Sequence, residues 1–125
     1  MRLKNLIIIA AVAASPSLAF AHEVVKGSHG GQVVDDKGHH VEFMVNGTEV
    51  LLYLTDEEDK PIASKGASGR VIVQNAGKQT TMALAPADPN ILTAKLDKAL
   101  PTGSKLVVSA KLSDGHNIEA RFVAK

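Results

Sequence analysis

Past a glycine-rich opening at residues 22–31, short apolar stretches alternate with turn residues, roughly every 8–12 positions. That spacing predicts an all-β protein. From residue 39 the two-residue period is plain: His39, Val41, Phe43 and Val45 take one face, and His40, Glu42 and Met44 the other. Asn46-Gly47 is a hairpin signal. A strand is expected over 50–55, then an acidic turn over 56–61, with a short edge segment starting at Ile62-Ala63. Gly66 to Gly69 reads as another turn. Further strands are expected over 70–74, 79–84, 91–96 and 105–112. Pro86, Pro89 and Pro101 are expected between strands, where a missing N–H does no harm. Asp114-Gly115 marks a second hairpin before a last strand over 118–124, and 96–100 could make one helical turn. The expected fold is an immunoglobulin-like antiparallel β-sandwich of seven or eight strands.

The start of the chain follows a different pattern. Arg2 and Lys4 precede an apolar run over 6–14, and Ala19-Phe20-Ala21 offers small residues where a signal peptidase reads them. Residues 1–21 are therefore expected to be a cleavable secretory signal, its apolar run too short for a comfortable transmembrane helix, with an uncleaved membrane anchor as the alternative. Residues 22–125 are expected to form one domain in the periplasm, with no membrane insertion after cleavage. Losing Arg2 and Lys4 leaves 12 basic against 13 acidic residues, a net charge of −1 where the whole chain carries +1. With no basic surplus, no Trp and a single Tyr, neither a phosphate-binding patch nor a base-stacking platform is expected, which argues against nucleic acid as a partner. The absence of cysteine excludes disulfides and thiolate metal sites.

Histidine carries the candidate chemistry. All five, His22, His29, His39, His40 and His116, lie beyond the signal. Imidazole and carboxylate together suit divalent copper, zinc, cobalt or nickel. One candidate ligand set runs from His29, beside Gly30 and Gly31, to His39, His40 and Glu42. His40 and Glu42 share a strand face about 7 Å apart, so one ion joins them only if the His29 loop folds over. A second set is Asp114 and His116, joined to His22. A chain cleaved after Ala21 would begin at His22 and could offer its amine and imidazole to one ion. Each histidine taken singly also fits an inert role, His39 half-buried at the core and His40 in solvent. Met44 and Met82 fit packing better than thioether ligation. The carboxylates of residues 56–59 read as a solubilising turn. No serine stands in a G-x-S-x-G elbow, and no nucleophile–base pair is visible, so an enzyme is not expected.

The stretch S-H-G-G-Q-V-V, then H-H-V-E-F, L-Y-L-T-D, K-P-I and G-A-S-G, resembles a family of small bacterial periplasmic proteins that accompany heavy-metal efflux systems. A similar H-G-G…E stretch occurs in periplasmic adaptor subunits of resistance-nodulation-division heavy-metal pumps. That resemblance implies a β-sandwich and a role near metal export. The C-terminal part, with Leu100-Pro101-Thr102-Gly103 and Ser113-Asp114-Gly115-His116, looks like the CopC copper-resistance family. That likeness implies Cu(II) held by an N-terminal histidine and a D-x-H motif, here His22, Asp114 and His116. The expectation is a periplasmic metal-binding protein, copper first, that buffers or delivers its ion to an efflux or resistance system. The alternative is an interaction module docking on an efflux adaptor, with incidental histidines.

Overall fold

The computed structural model describes residues 25–125. These form nine strands: β1 (Val25–Lys26), β2 (Gln32–Asp36), β3 (His39–Asn46), β4 (Glu49–Thr55), β5 (Ser68–Asn75), β6 (Lys78–Ala87), β7 (Ile91–Lys95), β8 (Lys105–Lys111) and β9 (Asn117–Val123). All pairs are antiparallel, as the tight turns joining neighbouring strands require where they occur. The strands join into one hydrogen-bonded series ordered β1-β2-β3-β4-β7-β6-β5-β8-β9. The all-β antiparallel class is as expected. The strand count is higher than seven or eight, and the two halves are continuous instead of separate. The reason is β6. Its first part pairs with β5, and its last residues, Ala85 to Ala87, pair with β7. Pro86 thus lies inside a strand rather than between two, opposite Leu92. Gly69 is likewise in β5, paired with Ala110 and Leu84, because bare backbone is needed where β8 passes close. No helix occurs among the described residues, so the turn expected at 96–100 is absent.

The sheet curls until its ends face each other. Inward residues of β3 to β9 enter one core: Val41 and Phe43 of β3, Val50, Leu52 and Leu54 of β4, Val71 of β5, Leu84 alone of β6, Leu92 of β7, Leu106 and Val108 of β8, Phe122 of β9. The Phe43 and Phe122 rings stack across the core at 5.0 Å, an offset contact aromatic pairs favour. Gln32 and Asp36 belong to the same inward set on β2, and they bridge to the edge of β9. Gln32 Nε2 donates to the Val123 carbonyl at 2.6 Å, and Asp36 Oδ2 accepts the Glu119 N–H at 2.8 Å. Two side chains thereby occupy edge groups that a tenth strand would otherwise pair. This seam brings the start of β3 up to the turn between β8 and β9, and that proximity makes the candidate site.

Candidate functional site

His39 opens β3 on the inward face, while His40 points outward. At the rim of the core, His39 reaches across to the β8–β9 turn. One ligating atom each from His39, Asp114 and His116 lies within 4.8 Å of the other two. The His39 and His116 rings are 5.1 Å apart and tilted by 50°. His39 Nδ1 lies 3.3 Å from the Asp36 carbonyl oxygen. Donation there leaves Nε2 with a free lone pair, the usual arrangement behind a metal-ligating imidazole.

The turn is held by its own aspartate. Asp114 Oδ1 accepts the His116 N–H at 2.9 Å, and Oδ2 lies 2.8 Å from His116 Nδ1. Gly115 takes φ +92°, a conformation that favours glycine. The backbone bond from His116 is the main cause that holds the Asp114 carboxyl below its ordinary pKa. The His116 side-chain bond adds to this, and the charges of His116 and His39 act in the same direction. The group therefore presents an anionic oxygen to a cation without competition from protons near neutrality. Two imidazoles and one carboxylate, His39 half-buried and the other two exposed, form a donor set of the kind that copper(II) and zinc(II) accept.

This grouping cuts across the two sets expected from sequence. Asp114 and His116 stay together, but the histidine that joins them within the described residues is His39, not a member of their own set. His22 lies outside the described residues. The strand alternation separating His39 from His40 was the available signal, since it sent the two rings to opposite faces. What it lacked was the identity of the element facing His39.

The first set is built differently from a chelate. Residues 27–31 do fold over β3, closed by the Gly27 N–H to the Gly31 carbonyl at 2.8 Å and the Gly30 N–H to the Gly27 carbonyl at 2.9 Å. Glu42, although on the outward face, is covered by this loop and only 5% exposed. Its Oε2 accepts the N–H groups of His29 and Gly31 at 2.9 and 2.8 Å, and its Oε1 lies 2.8 Å from His29 Nδ1. Those three donors and the loop lying over it shut the carboxylate off from any ion, so Glu42 acts here as the latch of the loop and not as a free ligand. An added Cβ at Gly27 would run into the Glu42 carboxylate, and one at Gly31 into the Phe43 carbonyl oxygen. The H-G-G…E pattern thus has a structural cause: Gly30 takes φ +81°, Gly31 has no room for a Cβ, and Glu42 is the buried acceptor that ties the loop down. His40 stands apart, its Nε2 3.7 Å from Asp35 Oδ2 and its Nδ1 3.5 Å from Asp59 Oδ1. It therefore links β2 to the acidic turn over 56–59 instead of meeting Glu42.

Comparison with known protein families, with curated proteins and with solved structures finds no match for this chain.

Proposed function

We propose that the chain is a periplasmic transition-metal-binding protein that buffers or delivers its ion to an efflux or resistance system. Copper is the first candidate, with zinc, cobalt and nickel behind it, because an N/O donor set ranks Cu(II) highest. We read it as a carrier and not an enzyme. The observation that carries this reading is the convergence of His39, Asp114 and His116 at the rim of the core, from positions far apart in the chain. The signal-like segment 1–21 supports a periplasmic location, and His22, three residues upstream of β1, is a further candidate donor. The resemblance to the H-G-G family supports an efflux adaptor as the partner. The fold is read in the same way as a sandwich of two leaves sharing β6, close to the immunoglobulin-like arrangement.

The test is calorimetric titration with Cu(II) and Zn(II) of a chain beginning at His22, beside one carrying an extra residue ahead of it. His39→Ala and His116→Ala should each weaken binding by at least about tenfold, the least that loss of a direct ligand should cost. Sharp weakening by the extra residue would add His22 to the site. Unchanged dissociation constants in both alanine variants would overturn the reading. No binding by any form would favour an interaction module.

A further inference from the structure

The outward face of β2, β3 and β4 carries a second arrangement that the rim site does not use. Cross-strand register aligns Val33, Glu42 and Tyr53 in one row and Asp35, His40 and Thr55 in the next. The loop bearing His29 folds over the first row. The result is a cavity of about 590 Å³ whose walls include Lys26, His29, Asp35, His40, Tyr53 and Asp59.

His29 is held in this cavity from three directions. Its backbone N–H is bonded to Glu42 Oε2, its Nδ1 sits on Glu42 Oε1, and its ring lies on Tyr53 at 3.6 Å with 12° between the planes. Ser28 Oγ lies 3.3 Å from the same Nδ1. A carboxylate only accepts hydrogen bonds, so Nδ1 carries the proton and Nε2 carries the lone pair. Nε2 has no hydrogen-bond partner among the described residues, and the side chain is 44% exposed. A carboxylate behind an imidazole whose far nitrogen is free is the pattern that raises ligand basicity and orients the ring for a metal ion.

We propose that His29 Nε2 is a second metal-binding position, with Glu42 as its positioning residue. Its ligand is a divalent first-row transition ion that arrives with part of its own coordination shell. The His39 group is the sole cluster of three or more ligating side chains among the described residues, so His29 supplies one anchored donor and leaves the other positions open. At about 590 Å³ the cavity has room for an ion with its water or a donor's ligands. Asp35 and Asp59 in its walls outnumber Lys26 and favour a cationic complex. A position with one protein donor lets the ion leave again. The inference shares with the proposed function only the class of ion.

The test uses the ¹⁵N-labelled chain and long-range ¹H–¹⁵N imidazole spectra at about pH 8, where an ordinary histidine is neutral. His29 should show the Nδ1–H tautomer, and Zn(II) should shift its Nε2 saturably. In Glu42→Gln the amide oxygen can still accept the two backbone N–H groups, but its NH2 then faces Nδ1. His29 should switch to the Nε2–H tautomer and lose Zn(II) affinity at least about tenfold. An Nε2–H tautomer in the unaltered chain would overturn the proposal, whether or not the variant folds. So would Zn(II) that shifts His39 and His116 up to millimolar concentration and leaves His29 unmoved. Zn(II) shifting His29 alone would instead sustain this position and overturn the rim site. No response from any histidine would overturn both.

Discussion

Removing the Glu42 carboxylate should release the 27–31 loop, and the cost can be worked from its contacts. In Glu42→Ala the His29 and Gly31 N–H groups lose acceptors at 2.9 and 2.8 Å, and His29 Nδ1 loses its partner at 2.8 Å. A hydrogen bond to a charged group contributes about 1.5–3 kcal/mol net. The low end applies, because a freed loop can turn its N–H groups to water. Two backbone bonds at that end give ~3 kcal/mol. For a domain of this size the melting temperature should fall by roughly 12–24 °C. The assay is urea and thermal denaturation followed by circular dichroism, with tyrosine fluorescence beside it. Tyr53 is the single tyrosine, no tryptophan masks it, and it lies under His29. Glu58→Ala on the exposed turn is the control, expected within about 0.5 kcal/mol of the unaltered chain. A Glu42→Ala protein as stable as that control would refute the latch. It would mean that the loop is held by its own backbone bonds and that the burial of Glu42 is incidental.

Two other outcomes follow from the same geometry. Gly31→Ala should destabilise by about 1–3 kcal/mol in the same denaturation assay, because its Cβ must displace the Phe43 carbonyl and the Met44 sulfur; a neutral result would show that the loop has room to lift. Asp114 should titrate below its ordinary 3.8 when its carboxyl carbon is followed by NMR, and in His116→Ala the midpoint should rise only part of the way, since alanine keeps the backbone N–H. A depressed folded-state pKa stabilises the turn above the unfolded carboxylate value, and that contribution is lost as pH falls through the folded one. A midpoint at the ordinary value would refute the turn geometry.

Much of the local structure was legible in the residue order. The alternation His39-Val41-Phe43 against His40-Glu42-Met44 is a property of an extended backbone, so it placed the strand and sorted its faces without knowledge of neighbours. Asn46-Gly47 and Asp114-Gly115 marked their hairpins because positive φ favours glycine. The reading failed where a strand's surroundings mattered. Glu42 sits between buried Val41 and Phe43 and is itself buried. Period two assigns it to the outer face correctly but says nothing about a loop lying on that face. Pro86 looked like a breaker, yet it pairs with β7 near the end of β6, beyond the last residue that β6 pairs with β5.

The sequence by itself determined the antiparallel all-β class, the main turns, the apolar faces and the short list of candidate metal ligands. Each depends on interactions among residues close in the chain. Tertiary structure alone decided which of those residues meet. The order β4-β7-β6-β5-β8 and the seam between β2 and β9 arise from contacts distant in sequence, whose closure is repaid only by burial of the shared core. That closure sets His39 against Asp114 and His116, while pairing within β1 to β4 ties Glu42 to the His29 loop and leaves His40 between two aspartates. A period of two can say which way a side chain points, but what it points at is settled when the sheet curls.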